Sequence, residues 1–211
     1  PIQVIIPEGS MLNPLAPASV VAGNVETSTC ITNALYGALG VMAGSQPTMN
    51  NFTFGNATYQ YYETISGGSG AGPVFNSSGE VVGGFKGTDV VQTHMTNSRL
   101  TDPEVLEFRF PVRLLSYSLR EGSGGQGKFA GGSGGIRRIE FLEPMTAGIL
   151  SNGRIYPAFG LAGGLAGLPG VNRVVKANGE VLILGHIDQV QMQVGDVFEI
   201  HTPGGGAYLG T

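Results

Sequence analysis

Short runs of apolar residues separated by polar or glycine-rich turns occupy most of the chain, and this pattern predicts more strand than helix. The run "QVIIP" (3–7) predicts a short strand that stops at Pro7, and the proline-broken stretch 11–20 predicts extended chain. Farther on, "MNNFTFGNATYQYYETI" (49–65) alternates aromatic and polar residues. It predicts one or two strands with a turn near Gly55.

Only one stretch has a clear helical period. Apolar residues recur at intervals of three and four, as on one face of a helix, at Ile31, Leu35, Leu39 and Met42. Asn24 is suited to cap the start of this helix, and Glu26 lies in the first turn, where the helix dipole favours a carboxylate. We therefore predict one main helix near 24–43 that ends at Gly44.

A second, shorter helix is predicted in "LTDPEVLEFRFP" (100–111). It begins at Thr101 or Asp102, which places Pro103 at the first helical position, and Pro111 ends it. Between the two helices, "SGGSGAGP" (66–73) and "VFNSSGEVVGGFKGTD" (74–89) predict mobile loop, the latter as a surface excursion.

The second half of the chain reads as strand after strand separated by glycine-rich turns. "ANGE" (177–180) is a hairpin signal, because Asn178 and Gly179 can both adopt a positive φ. No repeat of fixed period appears. The predicted fold is α+β and strand-rich, with mixed or antiparallel sheets. A subdivision into an α+β part (1–112) and a β-rich part (113–211) is one possible organisation.

Composition adds one constraint on the surface. Hydrophobic residues make up 41% of the 211 residues and charged residues only 12%, about half the usual share. Because a free-standing domain usually covers itself with charged residues, we expect part of this surface to be buried against another domain or subunit. The chain opens in mid-strand on Pro1, and we interpret it as a piece of a longer polypeptide.

Charge and cysteine usage exclude some classes of function. The net charge is −4 with no basic stripe, which argues against nucleic-acid binding, and no apolar run is long enough to span a membrane. The lone Cys30 excludes an internal disulfide framework and indicates a reducing, cytoplasmic compartment. Its place on the predicted apolar helix predicts a buried structural thiol.

The densest group of chemically able side chains is "QTHMTNSRLTDPE" (92–104). His94 could act as a base, as a metal ligand or only as a core hydrogen-bonding group, Arg99 could bind a carboxylate, and Asp102 could be only a helix cap. The glycines of "GGSGAG" (67–72) could turn backbone N–H groups towards an anion, or could form a plain loop. No metal-ligand spacing stands out, and we expect His186 and Asp188 at the surface.

Eight segments taken together are similar to one known family. They are "NPLAPASVVAGNVETS", "NNFTFGN", "YYETISGGSGAGP", "THMTNSRLTDPE", "RFPV", "REGSGGQGKFAGGSGG", "FGLAGGLAG" and "GDVFEIHTPGGG". In this order they resemble the C-terminal third of the hydantoinase B/5-oxoprolinase family. The likeness extends over essentially the whole chain. It departs from the family in the surface excursion after the glycine loop, in "LSNGRIYPAFG", where a more basic run is expected, and in the tail "GGGAYLG".

The resemblance implies an ATP-dependent hydrolase of lactams or cyclic imides, such as one that converts 5-oxo-L-proline to L-glutamate in glutathione turnover. It implies that ATP and a divalent metal are bound mainly outside this chain, by a hydantoinase A-like subunit or half and by a preceding part of the B-type region, in a homo-oligomer. The fragment alone would then be inactive. Alternatives are an N-methylhydantoinase, an acetone carboxylase-like subunit, or a non-catalytic assembly module.

On this basis we assign candidate site residues in two groups. The first, with catalytic roles or polar contacts to the reacting groups, comprises His94, Asn97 and Arg99. The second, with contacts to substrate, comprises the helix start at Asn24, Glu26 and Thr27 and a backbone cradle at Gly67, Gly68, Gly70 and Gly72. No metal ligand is predicted within the chain.

Overall fold

The computed structural model describes residues 3–19 and 23–210. Within them are two helices, α1 (Gly23–Leu39) and α2 (Pro103–Arg109), and eleven strands. The strands are β1 (Asn51–Gly55), β2 (Gln60–Thr64), β3 (Gly72–Phe75), β4 (Val81–Phe85), β5 (Val112–Arg120), β6 (Gly134–Phe141), β7 (Met145–Leu150), β8 (Val171–Val175), β9 (Val181–Leu184), β10 (Ile187–Met192) and β11 (Val197–His201). The strand-rich α+β prediction is confirmed.

Two antiparallel sheets enclose the core, and a separate hairpin, β3–β4, lies apart from them. One sheet has the order β10-β7-β1-β2 and the other β5-β6-β11-β8-β9. Their facing sides meet through aromatic side chains: the Phe52 and Phe198 ring centroids are 4.7 Å apart, and those of Phe54 and Phe141 are 5.4 Å apart. Because β1 pairs with β7, the first sheet combines strands from both parts of the predicted subdivision.

The hairpin predictions are confirmed at both places. β1 and β2 pair in register from Asn51 with Thr64 to Gly55 with Gln60, and β8 pairs with β9 across "ANGE". Of the two turn residues there, only Gly179 has a positive φ, of 89°. The strand predicted at 3–7 is wrong: this stretch is irregular, with Val4 and Ile5 exposed, and pairs with no strand of the described chain.

Helix α1 packs with its polar side inward. Its buried residues are Glu26, Thr29 and Asn33, whereas Leu35 is 56% exposed and Leu39 71% exposed. The helix was predicted from its apolar stripe. In the structure, however, the polar side makes the contacts with the rest of the described chain. Since exposed leucines cost free energy in water, this face is suited to pack against another surface.

The ends of α1 also differ from the prediction. It begins at Gly23, so Asn24 lies inside the first turn rather than at the cap. It ends before Gly40, whose φ of 67° is the left-handed conformation that terminates helices, rather than at Gly44. The α2 prediction is confirmed: Asp102 caps it by accepting from the Glu104 amide at 3.0 Å, and Pro103 is its first residue.

The glycine-rich segments form a buried bundle. The segment 66–73 is mostly irregular, as the loop prediction expects, but it is buried. The loop predicted at 74–89 is wrong in part, because this exposed excursion contains most of the β3–β4 hairpin. At the centre of the bundle, residues 203–207 are all buried. Their successive amides donate to carbonyls on three different neighbouring segments: Gly204 to Leu168 (3.1 Å), Gly205 to Gly132 (2.9 Å), Gly206 to Gly44 (2.8 Å) and Ala207 to Leu165 (2.9 Å). Successive amides thus point to different neighbouring segments, as in a polyproline II helix, which has three residues per turn.

Glycine is needed in this bundle because the backbones touch. A Cβ at Gly205 would overlap the Ser69 carbonyl, and one at Gly68 would overlap the Gly132 carbonyl. The segment 67–72 is therefore fixed between its neighbours by backbone bonds, such as Gly68 N to Pro203 O at 3.0 Å and Ala71 N to Gly206 O at 2.9 Å. Neither described helix is long and apolar enough to cross a membrane.

Candidate functional site

The polar strip 92–102 lies between helix α1 and the end of β2. At its start, the Gln92 amide donates to the Thr64 hydroxyl at 3.1 Å. Farther along, the Ser98 hydroxyl is 2.8 Å from the same Thr64 hydroxyl. On the helix side, the Ser28 hydroxyl donates to the Met95 sulfur at 3.0 Å. The strip is thus held on both sides while Asn97 and Arg99 stay exposed.

His94 is held against α1 in a strained backbone conformation. Its φ is 67°, which is uncommon for a residue with a side chain. Its Nε2 is 2.8 Å from the Asn33 Oδ1, and its ring meets Tyr36 edge-on with centroids 5.6 Å apart. Strain of this kind is found at functional sites, where the surrounding structure maintains it.

The Asn33 amide fixes the tautomer of His94. Asn33 donates its Nδ2 to the Ser45 carbonyl, at 2.9 Å, and its Oδ1 accepts from the Ser45 amide, at 3.0 Å. The oxygen facing His94 is therefore an acceptor, so Nε2 carries the hydrogen and Nδ1 keeps its lone pair. Burial lowers the pKa of His94 below its ordinary value of 6.5. A neutral ring with a free Nδ1 lone pair can act as a base.

Asn97 and Arg99 line a pocket of about 320 Å³ next to the glycine bundle. Ser66, immediately before the glycine segment, and Tyr117 of β5 form the opposite wall, and their hydroxyls are 3.2 Å apart. Arg99 has no carboxylate within 4.0 Å among the described residues. A guanidinium that has no carboxylate partner in the described chain is suited to bind a carboxylate or phosphate group.

A buried ion pair lies behind the Tyr117 wall of this pocket. Arg137 donates through Nε and Nη2 to both oxygens of Glu63, at 2.6 and 2.9 Å, and both side chains are almost fully buried. The guanidinium carbon lies 5.6 Å from the centre of the Tyr117 ring. Tyr61 also donates to Glu63, at 2.8 Å. The pair therefore fixes the pocket wall at Tyr117.

Glu26 is buried beneath α1. Its Oε1 accepts from the Met49 amide at 3.0 Å and from the Asn51 amide group at 2.7 Å. Its Oε2 is buried and has no partner in the described chain. Burial raises the pKa of Glu26 above its ordinary value, and the hydrogen bonds from the Met49 amide and from Asn51 only partly offset that effect. A carboxyl with a raised pKa and an unpaired oxygen is typical of functional sites.

The predicted residues do not gather in one place. Asn24 lines a different groove, on the outer face of the β10-β7-β1-β2 sheet. The Thr27 hydroxyl donates to the Gly23 carbonyl within the helix, at 2.9 Å. Within the glycine segment, the Gly68 and Gly70 amides already donate to the Pro203 carbonyl and the Ser45 hydroxyl. These two amides cannot bind a ligand while they make these hydrogen bonds. Substrate contact at Gly67 and Gly72 stays a prediction.

Several residues of interest were not found from the sequence. Asn33 belongs to a polar stripe, Glu26–Thr29–Asn33, whose helical spacing is as regular as that of the apolar stripe. Ser66 and Tyr117 carry no local signal, because only the fold brings them together. The prediction that Cys30 is a buried thiol is wrong, since it is exposed. His186 is exposed, as predicted.

The described residues do not fit a metal ion, and the glycine segment does not fit the phosphates of a nucleoside triphosphate. The described part of the chain has no group of three or more His, Cys, Asp or Glu side chains that could hold a metal ion. The glycine segment, the sequence feature that could have held phosphates, has its Gly68 and Gly70 amides occupied, as described above.

Comparison of the sequence with known proteins confirms the family resemblance. The model of the Hydantoinase B/oxoprolinase family matches residues 1–209. The chain is 46% identical over 208 residues to the 5-oxoprolinase of Dictyostelium discoideum, in an alignment that covers 99% of this chain and 16% of that protein. It thus spans about a sixth of the length of this relative.

Solved structures show the same fold in two ATP-dependent enzymes. The crystal structure of ATP-dependent caprolactamase from Pseudomonas jessenii superposes with a TM-score of 0.74 at 24% identity, over 98% of this chain and 38% of that chain. A nucleotide-free acetone carboxylase gives a TM-score of 0.60 at 18% identity, over 80% of this chain and 26% of that one. Because the family model matches residues 1–209 of the 211-residue chain, the chain belongs to the Hydantoinase B/oxoprolinase family.

Proposed function

We propose that this chain is part of an ATP-dependent cyclic amide hydrolase whose substrate is 5-oxo-L-proline, and that it contributes one wall of the active site. The observation that carries the proposal is the free guanidinium of Arg99 in the pocket beside the glycine bundle. 5-Oxo-L-proline carries a carboxylate next to its lactam, whereas a simple lactam does not. The sequence identity of 46% to a 5-oxoprolinase, over 99% of this chain, supports the same substrate.

Each residue of the strip has a distinct part in this proposal. Arg99 binds the substrate carboxylate with charge-assisted hydrogen bonds, and the exposed Asn97 amide contacts the ring. His94, neutral and held by Asn33, provides Nδ1 as the acceptor for a proton of the attacking water or of the ring nitrogen. ATP and a divalent metal, which activate the lactam, are bound by a hydantoinase A-like part and by a preceding B-type segment outside this chain. The complete protein acts in the cytoplasm as an oligomer.

The test compares Arg99→Gln with Arg109→Gln in the full-length protein. Arg109 is an exposed arginine at the end of α2, outside the pocket. A lost charge-assisted contact of about 1.5–3 kcal/mol weakens 5-oxo-L-proline binding by roughly ten- to a hundredfold. Calorimetric binding of 5-oxo-L-proline and steady-state glutamate formation measure this loss. Hydrolysis of 2-pyrrolidinone, the same ring without a carboxylate, should be equally slow in both variants and in the wild type.

Equal binding of 5-oxo-L-proline by the two variants would remove Arg99 from the proposed role. A broader substrate panel separates the related reactions: ATP-dependent turnover of N-methylhydantoin or of acetone plus bicarbonate, without turnover of 5-oxo-L-proline, would assign the chain to one of those instead.

A second candidate function, that of a non-catalytic assembly module, is favoured by the exposed apolar side of α1. Leu35 and Leu39 are mostly exposed although they lie on a regular helix. Two changes separate an assembly module from an active-site wall. Leu35→Gln, on the exposed side of α1, would abolish complex formation by an assembly module in size-exclusion chromatography. Arg99→Gln would leave an active-site wall able to assemble but unable to bind substrate.

A further inference from the structure

Arg154, in the segment between β7 and β8, is a largely buried cation without a counter-ion. Its Nη1 donates to the Asn50 Oδ1 and to the Asn152 carbonyl, both at 2.8 Å, and its Nη2 donates to the Asn172 Oδ1 at 2.7 Å. All three acceptors are neutral. No carboxylate of the described residues lies within 4.0 Å of the guanidinium.

Three other arginines that are at least partly buried are paired with carboxylates. Arg137 is bonded on two nitrogens by Glu63, and Arg138 and Arg173 share Glu199. The second exception is Arg120, whose Nη1 donates only to the Pro169 and Thr202 carbonyls, at 2.7 and 3.2 Å. Arg120 and Arg154 influence each other as like charges, and burial is the main cause that lowers the pKa of each.

The guanidinium of Arg154 retains unused donors. Of its five N–H groups, three make the bonds given above, which leaves the Nε hydrogen and one hydrogen on Nη2. The Nε atom is buried and has no acceptor in the described chain. The neutral amides fix the plane of the group, and glycine at position 170 leaves room for it, since a Cβ there would lie 2.7 Å from its Cζ.

A cavity of about 350 Å³ adjoins Arg154. It is bounded by Cys30 and Pro47 on one side and by Tyr156 and the exposed His186 on the other. Glu26 is the one acidic group that stabilises the charge of Arg154, and it does so only at a distance. This cavity is separate from the Arg99 pocket, with which it shares no lining residue.

We propose that the cavity beside Arg154 binds a small oxyanion, a carboxylate or a phosphate group. A buried positive charge without a partner costs several kcal/mol, and an oxyanion that accepts from the guanidinium offsets this cost. A purely structural clamp between Asn50 and Asn172 would not require a cation, because neutral donors could make the same bonds. The proposal stands independently of the assignment of 5-oxo-L-proline to the Arg99 pocket.

The test uses the full-length protein with inorganic phosphate and L-glutamate as separate probes, at constant ionic strength set with sodium chloride. Calorimetric titration and the rate of Cys30 alkylation by iodoacetamide, followed by peptide mass mapping, are the two readouts. We expect saturable binding of at least one probe, which slows the alkylation of Cys30 because the thiol lines the same cavity. The probe that binds identifies the class of anion.

Two variants keep the test sharp. Arg154→Lys keeps the charge but loses the planar fork, and it should weaken binding by about tenfold or more. Cys30→Phe fills the cavity from the exposed side of α1 without changing any bond of Arg154, and it should abolish binding in a protein that folds normally. Arg113→Gln, on a distant exposed ion pair, is the matched control. Absence of saturable binding of both probes, or equal binding by wild type and Cys30→Phe, overturns the proposal.

Discussion

Substitution of Gly205 by alanine should destabilise the glycine bundle, although it adds only one methyl group. The new Cβ would overlap the Ser69 carbonyl oxygen. To relieve the overlap, the two backbones must separate by about 1 Å. Gly205 donates to the Gly132 carbonyl at 2.9 Å and accepts from the Gly125 amide at 2.8 Å. A shift of that size stretches both bonds beyond the hydrogen-bonding range.

The expected loss follows from these two bonds. A buried backbone group that is left without a partner costs about 1–3 kcal/mol, so Gly205→Ala should lower the local opening free energy by about 2–6 kcal/mol. Gly83 on the β3–β4 hairpin is the matched control, because a Cβ there meets nothing within 4 Å and its φ is not positive. Gly83→Ala should change the local stability by less than about 0.5 kcal/mol.

Hydrogen exchange read by mass spectrometry on the full-length protein measures this difference locally. The amides of residues 204–207 in Gly205→Ala should exchange at least about 30-fold faster than in the wild type, which corresponds to about 2 kcal/mol. The β3–β4 peptide of Gly83→Ala should keep its wild-type rate. If Gly205→Ala exchanges within about threefold of the wild type, close backbone contact is not what excludes a side chain at this position.

Two further predictions concern the candidate site. Glu63→Gln leaves the buried Arg137 without its counter-ion and should lower the stability of β6 by about 3–5 kcal/mol in hydrogen exchange. Glu140→Gln, on an exposed pair, should cost less than about 1 kcal/mol. Equal costs would contradict a structural role for the buried pair. His94→Ala in the complete enzyme should lower kcat by more than about tenfold. Because burial lowers the pKa of His94, its ring becomes protonated only below the ordinary value of 6.5, so the acid limb of wild-type kcat/KM should lie below pH 6.5, and a limb above it would exclude His94 as the base.

The sequence was enough to predict elements that depend only on a few neighbouring residues. The Asp102–Pro103 start of α2 and the "ANGE" hairpin depend on a cap, a fixed φ and a left-handed glycine, all of which can be identified in a few residues. The run 3–7 has the composition of a strand but pairs with no strand of the described chain. A strand needs a neighbour, which a local pattern cannot supply.

The site could be predicted only in its exposed part. His94 and Arg99 were identified because several polar side chains follow each other in one short stretch. Their partners are distant in sequence. Asn33, buried, lies 61 residues before His94, and Tyr117 lies on strand β5. Only the tertiary fold therefore identifies them. The glycine segment shows the opposite failure: its composition suggests a ligand loop, but close contact between backbones explains the same glycines.

Helix α1 supports two separate features, His94 of the polar strip and the cavity beside Arg154. Asn33 holds His94 at the strip, and Cys30, one turn earlier, lines the cavity beside Arg154. Both contacts use the inner and lateral sides of the helix, so the outer side, with Leu35 and Leu39, is left for another surface. Because the polar contacts of α1 contribute little net stability, a covering apolar surface would supply most of the free energy that keeps the helix in place. His94 and the cavity beside Arg154 therefore depend on the same helix, and a change that displaces α1 should disturb both together.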